Sequence, residues 1–300
     1  MMDQKTTCGM IAIVGRPNVG KSTLLNALVG ENVAIVSDKP QTTRNRITGV
    51  VTRDQAQYIF LDTPGLHKAR NRLGEFMDNV SRSSVADVDA AILVVEPIPA
   101  PGKAEEELMA RMEQLGVPSI LVINKIDKVE QKDKLLEVIA AYQQAHHFDA
   151  ILPVSAKEKD GVEELFDILK DYQAESPWYF PADAFTDQPE RQIVGEILRE
   201  KLLRSLDKEI PHGTAVSIEK FHERENGVID IDAVIYCEKE SHKGIIIGKK
   251  GAMLKKVSSQ AREDMERFLD AKVYLQTWVK VKENWRDNPG LIRSFGFTED

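Results

Sequence analysis

Gly15-Arg16-Pro17-Asn18-Val19-Gly20-Lys21-Ser22 reads G-x-x-x-x-G-K-S, between the apolar run Met10-Ile11-Ala12-Ile13-Val14 and a segment, Ser22 to Val29, with Leu24, Leu25 and Leu28 at helical spacing. The run has the pattern of a parallel strand buried on both faces. Gly30 suits the end of the helix. A strand, a glycine-bounded loop and a helix in that order form the context a phosphate loop requires. Glycines at both ends let backbone N–H groups curl around phosphates, and the helix N-terminus adds partial positive charge. Lys21 is expected to reach the β- and γ-phosphates, and Ser22 to offer its hydroxyl to Mg²⁺, a cation that prefers oxygen ligands.

Four further segments extend this reading. Asp62-Thr63-Pro64-Gly65-Leu66 follows the strand-like Tyr58-Ile59-Phe60-Leu61, so the Asp62 carboxylate falls at a strand's carboxyl end, where it suits a Mg²⁺ shell. Gly65 can present its N–H to a γ-phosphate. Leu66 stands where many GTPases place the glutamine that orients the attacking water, so slow intrinsic turnover is expected. Thr42 and Thr43 lie in a polar stretch between these motifs; Thr43 is the first choice as a Mg²⁺ ligand and Thr42 the alternative. Asn124-Lys125-Ile126-Asp127 follows the buried-strand run Ser119 to Ile123, and Ser155-Ala156-Lys157 follows Ile151 to Val154.

The fourth segment names the base. The Asp127 carboxylate can accept from both N1–H and the 2-amino group of guanine. Adenine offers neither donor, and a buried acceptor left unpaired discriminates by roughly 10⁴ or more. The Lys125 stem can lie along the base, Asn124 can tie the loops together, and the Ala156 N–H is expected to meet guanine O6. Lys21, Asn18 and Thr43 are the expected catalytic group. Asn18 is the candidate for holding K⁺ beside the phosphates, where a cation would neutralise developing charge. Arg44 and Arg46 are rivals for that role in cis.

With 300 residues, 42% of them hydrophobic and 29% charged, the chain has room for two ordinary globular domains. Cys8 and Cys237 match no metal spacing and fit a reducing compartment. No apolar run is long enough to span a bilayer, and no secretory signal is expected at the N-terminus. His146-His147 near Asp149 reads as a polar helix end, and Glu105 to Glu107 as a solvated first helical turn.

Strand and helix patterns alternate through Tyr172, which predicts an α/β domain over residues 1–172: a mostly parallel sheet with helices on both faces and the ligand at the strands' carboxyl ends. Residues 173–189, with Pro177, Pro181 and Pro189, read as a linker. A second unit is predicted over 190–282, followed by a tail, 283–300. It opens with an amphipathic helix, Arg191 to Leu206, then strands Ala215 to Phe221 and Val228 to Cys237 joined at Asn226-Gly227. Ile245-Ile246-Ile247-Gly248-Lys249-Lys250-Gly251 leads into a helix, Ala252 to Leu269, and a last strand, Lys272 to Val281.

This is the element order of an α+β, type II KH module, in which a G-x-x-G loop approaches the backbone of about four single-stranded nucleotides. Ile247, Gly248, Lys249, Lys250, Gly251 and Lys255 are the expected RNA contacts. Net charge is −8 overall, but Lys243 to Lys256 holds five lysines and no acidic residue, a patch suited to phosphate contacts.

With both halves read, the chain resembles the Era family of bacterial GTPases with a C-terminal KH domain, over essentially its whole length. Gln41-Thr42-Thr43-Arg44, Asp62 to His67, the loop Ile246 to Gly251, and Trp278-Val279-Lys280-Val281-Lys282 followed by Trp285 are all in that family's style. The resemblance implies a role in assembling the small ribosomal subunit, with the KH domain on the 3′ end of its ribosomal RNA. It also implies a cytoplasmic location with association at the inner face of the membrane. A double-G-domain relative would carry a second phosphate loop, and none is present.

Overall fold

The computed structural model describes residues 5–66, 69–131 and 133–297; His67, quoted above, lies outside them. Two compact units emerge, one built mainly from residues up to Asp187 and one from Gln188 onward.

In the first unit the apolar runs form β1 (Thr7–Val14), β2 (Ile47–Arg53), β3 (Ala56–Asp62), β4 (Ala90–Val95), β5 (Ser119–Ile123) and β6 (Ala150–Pro153). Their order in the sheet is β2-β3-β1-β4-β5-β6, parallel throughout except for the β2–β3 hairpin. Alternate residues of β1 point to opposite faces and seed two cores. Ile11 and Ile13 pack with Leu24 and Leu25 of α1 (Lys21–Val29) and Leu165 and Phe166 of α5 (Val162–Leu169). Ala12 and Val14 pack with Leu108 and Met112 of α3 (Lys103–Leu115) and Val138 and Tyr142 of α4 (Asp133–Ala145), while α2 (Arg72–Ser83) falls between β3 and β4 in the chain. A sheet covered on both faces leaves its strand ends as the place for a ligand. The order reverses between β1 and β4, so the loops after these strands diverge and open a crevice there.

The stretch expected as a linker is built onto this unit. Residues 174–175 form a short strand, β7, antiparallel to β1. The Trp178 indole N–H donates to the Gln55 carbonyl at 3.2 Å, and the Gln57 amide oxygen accepts from the N–H groups of Tyr179 and Phe180 at 3.0 Å each. Prolines forbid a helix here, but extended chain still satisfies its hydrogen bonds against the start of β1 and residues 55 and 57.

The second unit carries α6 (Glu190–Ser205), β8 (Ala215–Glu223), β9 (Ile229–Cys237), α7 (Glu240–Ile247), α8 (Ala252–Leu269), β10 (Val273–Val281) and α9 (Pro289–Ser294). Its sheet order is β10-β9-β8, with β9 antiparallel to β8 and parallel to β10. The parallel pair demands a crossover, which α7 and α8 supply. Ile231, Ala233 and Ile235 of β9 pack against Val194, Leu198 and Leu202 of α6 and Val257, Ala261 and Met265 of α8.

The apolar stripe expected on α6 is buried, and so are Arg199 and Lys201. Lys201 pairs with Glu200 at 2.6 Å and with Asp264. Arg199 pairs with Glu196 at 2.6 Å and donates to the Thr42 carbonyl, because residues 35–42 group with this unit.

Residues 283–297, expected as a tail, belong to the packed unit: Trp285 is fully buried, donates its indole N–H to the Gly213 carbonyl at 3.0 Å, and meets Phe295 and Phe297. Trp285→Ala removes a large buried ring and a hydrogen bond together. It is expected to cost about 3–5 kcal/mol, measured from the urea midpoint of the second unit's unfolding transition.

Candidate functional site

The loop after β1 turns sharply at Gly15, whose φ of +149° suits glycine and where a side chain would collide with the Val94 carbonyl. The Lys21 ammonium, buried at the start of α1, donates to the carbonyls of Gly15 at 3.1 Å and Arg16 at 2.9 Å. Burial pulls its pKa down to about 8, and the negative charge of Asp62 opposes that shift. Asp62, at the end of β3 and 0% exposed, moves the other way. Burial raises its carboxyl to about 6, against the pull of Lys21 and the hydrogen bonds of Ser22, the Thr63 backbone and Thr43.

Three oxygens expected to bind a cation converge here. The Ser22 hydroxyl donates to Asp62 Oδ2 at 2.6 Å and lies 2.8 Å from Thr43 Oγ1, which itself lies 3.5 Å from the same carboxylate oxygen. Asp62 Oδ1 is buried without a hydrogen-bond partner. An all-oxygen cluster with an orphaned carboxylate oxygen is a donor set that fits Mg²⁺. Thr42 does not join it: its hydroxyl donates to the Lys39 carbonyl at 2.6 Å, and the chain passes from the second unit at Thr42 to the first at Thr43. Leu66 is 3% exposed in the apolar cluster beneath β1, so its side chain offers a nucleotide nothing. Arg44 is also buried, at 2% exposure.

On the other side of the loop, Asn124 clamps two segments. Its Nδ2 donates to the Val19 carbonyl at 2.8 Å, and its Oδ1 accepts from the Ala156 N–H at 3.0 Å. The N–H expected to meet guanine O6 is thus engaged with Asn124, and serving both acceptors requires a shared bond. The Ser155 hydroxyl donates to Asp127 Oδ1 at 2.7 Å, orienting that carboxylate while leaving its other oxygen for a ligand. Lys125 adopts a left-handed φ of +65°. Its ammonium reaches the Asn18 carbonyl and Glu96, the latter at 2.6 Å. Asn18 is left-handed too, at φ +66°. Such strained residues gather where a site is held ready for a ligand. Lys157 is exposed and pairs with Glu158 at 2.8 Å.

Glu105 corrects an expectation. It is 0% exposed, accepts the Gly102 N–H at 2.9 Å and pairs with Arg16 of the phosphate loop. The acidic run gave no signal that its first member points inward. His146 and His147 follow α4. The His146 ring lies 3.0 Å from the Ser119 hydroxyl, and no cluster of three or more His, Cys, Asp or Glu side chains arranged to hold a metal occurs among the described residues.

In the second unit, α7 ends at Ile247 and α8 begins at Ala252. Gly248 sits at φ +72°, where a side chain would strike Met253, and Lys250 at φ +53° turns the loop so that both lysines are exposed. Beside it, between α8 and the edge strand β10, lies a cavity of about 310 Å³ lined by Gly251, Leu254, Lys255, Ser258, Arg262 and Thr277, among others. Four of these (Leu254, Ser258, Arg262 and Thr277) were not legible as site residues, since their place in the groove depends on how α8 crosses β10. Ser258 and Thr277 share a hydrogen bond of 2.9 Å across it.

Comparison with known proteins follows the same division. A family model described as a 50S ribosome-binding GTPase matches residues 10–125, and a KH domain model matches 209–286. GTPase Era of Ruminiclostridium cellulolyticum is 47% identical over 96% of this chain and 97% of its own. GTPase Era of Clostridium kluyveri is 50% identical over 96% and 98%. Two solved structures match with a TM-score of 0.94 and 37% identity over 98% of this chain. One is a point variant of Aquifex aeolicus Era bound to GDP·AlF4⁻, covered over 100%; the other is Era with MgGDPNP and nucleotides 1506–1542 of 16S ribosomal RNA, covered over 99%.

Proposed function

The chain belongs to the Era family of GTPases, and we propose that it is a GTP-hydrolysing switch whose KH domain holds the 3′ end of small-subunit ribosomal RNA during subunit assembly. The observation that carries the nucleotide part is the Asn124 clamp. One buried side chain fastens the phosphate loop, at Val19, to the base-reading loop, at Ala156, so phosphates and base are gripped by a single unit. The relative solved with MgGDPNP and a 16S ribosomal RNA fragment, alike over nearly the whole length, supports the same assignment for both halves.

Within this reading, Lys21 leaves its carbonyl partners for the β- and γ-phosphates, and Asp127 reads N1–H and the 2-amino group. Ser22, Thr43 and Asp62 would hold Mg²⁺, whose charge would offset that of the phosphate oxygens. Leu66, apolar and buried, orients no water from the position after Gly65, so intrinsic turnover is slow. A potassium ion near Asn18 is the electrostatic aid that completes the proposal. Gly248 and Gly251 admit the RNA backbone, Lys249, Lys250 and Lys255 meet phosphates, and the cavity between α8 and β10 accepts a base.

We place the protein in the cytoplasm at the small subunit, with association at the inner membrane face as a further part of the proposal. No helix among the described residues is long and apolar enough to cross a membrane.

Coupling between nucleotide and RNA rests on residues 35–42. In the second unit, the Lys39 ammonium donates to the Leu206 carbonyl at 3.0 Å and pairs with Asp207 at 2.9 Å. Arg204 donates to the Val36 carbonyl at 2.9 Å. This segment runs straight into Thr43. Ordering of Thr43 by the γ-phosphate and its cation therefore pulls on chain held by α6.

Asp127→Asn is expected to weaken GDP binding by roughly 10² or more and to favour xanthosine diphosphate, whose carbonyl accepts from the new amide. Competition by ATP against GTP on the unmodified protein would contradict the base assignment. Single-turnover hydrolysis is expected to run faster in KCl than in NaCl, and equal rates would remove the potassium ion. Replacing Lys249 and Lys250 by alanine is expected to weaken single-stranded RNA about equally across sequences. It should also flatten the slope of log affinity against log salt by about 1.4.

A further inference from the structure

Beneath the phosphate loop lies a charge pair that no step above uses. Glu105, on the first turn of α3, is 0% exposed, and one carboxylate oxygen accepts the Gly102 N–H at 2.9 Å. Its other oxygen pairs with the guanidinium of Arg16. Close by, Tyr142 is 0% exposed and its hydroxyl is buried without a hydrogen-bond partner. Burial, then the charge of Glu105, raise the pKa of that phenol, while Arg16 opposes the rise. A carboxylate taken wholly out of water is retained only where it is paired, and removing one partner of such a pair is costly. Surface helix turns supply acidic residues without this arrangement, so the inward position of Glu105 has a specific consequence.

The consequence lies in what Arg16 does with its main chain. The Arg16 carbonyl, with that of Gly15, holds the Lys21 ammonium at 2.9 Å and 3.1 Å. The side chain of the same residue is pinned from below by Glu105. The first turn of the phosphate loop is therefore fixed between α3 and the lysine that meets the phosphates. We propose that Glu105 is a positioning residue: by anchoring Arg16 it sets the loop's first turn, and so the place of Lys21, before nucleotide arrives. The proposal rests on the GTP-binding assignment, and the unmodified protein's own affinity for GDP and GTP tests that assignment separately.

The effect falls on the phosphates and spares the base, because the guanine contacts come from Asp127 and the loop at Ser155. Dissociation constants are to be measured for GTP, GDP and guanosine with the full chain carrying Glu105→Gln, Arg16→Gln, both together, and Arg16→Lys, alongside urea midpoints of the nucleotide-free proteins. Each glutamine variant is expected to weaken GDP and GTP about tenfold with guanosine unchanged, within the roughly 10²-fold that a misplacement of about 1 Å can cost. The double variant is expected to be no weaker than the worse single one, as two residues acting through one contact are not additive. Arg16→Lys, which keeps the charge but not the fork, should lose less. Unchanged GDP affinity in Glu105→Gln, additive losses, or equal losses for guanosine and GDP would each overturn the proposal. Should Glu105→Gln not fold, Arg16→Gln and Arg16→Lys decide alone, because Arg16 is partly exposed: a loss graded by side chain and confined to phosphate-bearing ligands supports it, and full affinity in both overturns it.

Discussion

An ammonium and a carboxylate buried together at the floor of the nucleotide site constrain everything around them. Lys21 and Asp62 are both cut off from water, and burial pushes each towards its neutral form, the lysine to about 8 and the aspartate to about 6. Their mutual attraction only partly offsets this, so the loop supplies two carbonyls to the lysine, while Ser22 and Thr43 approach the aspartate. One carboxylate oxygen still has no partner. A site arranged this way is electrostatically incomplete by itself. Polyanionic phosphates answer the lysine and a divalent cation answers the carboxylate, so the unmet demands of the pocket describe its ligand.

The sheet exists to hold these groups at one edge. Parallel strands buried on both faces end together, and the loops after β1, β3, β5 and β6 deliver Lys21, Asp62, Asn124 and Ser155 to one crevice. The threonine that completes the cation cluster comes from elsewhere. Thr43 follows a segment whose hydrogen bonds run to α6, with Arg199 on the Thr42 carbonyl and Arg204 on that of Val36. In the proposed coupling, a ligand that orders Thr43 would act on chain held by α6, and the free-energy difference between bound and free threonine is what such a switch could transmit.

Contiguous features were legible in the sequence. The phosphate loop, the Asn124 to Asp127 loop and the G-x-x-G turn are each set by residues within a few positions of one another, and strand runs and the limits of α8 followed from local periodicity. What escaped was set by partners distant in the chain. Glu105 looks like its acidic neighbours until Arg16 comes beneath α3. Arg199 and Lys201 interrupt an apolar stripe as if solvated, yet their partners lie at Thr42 and Asp264. Prolines at 177, 181 and 189 rule out a helix but cannot reveal that the chain just before them pairs with β1 and that Trp178 to Phe180 hydrogen-bond to Gln55 and Gln57, and Trp285 gains its burial from Gly213 and the phenylalanines beyond it. Thr43 was already the first choice from the sequence, and what no spacing encodes is why Thr42 stays apart: its hydroxyl is held by the Lys39 carbonyl.

The central claim is that nucleotide state, sensed at Thr43, governs the grip of the KH domain on RNA. The direct measurement is the affinity of the full chain for a single-stranded RNA matching the 3′ end of 16S ribosomal RNA, at fixed salt, with a non-hydrolysable GTP analogue and with GDP. A coupling of about 1–3 kcal/mol predicts about 5- to 150-fold tighter binding with the analogue, with RNA tightening the analogue by the same factor. Equal RNA affinities in the two nucleotide states would contradict it, leaving a GTPase and an RNA-binding domain that merely share a chain.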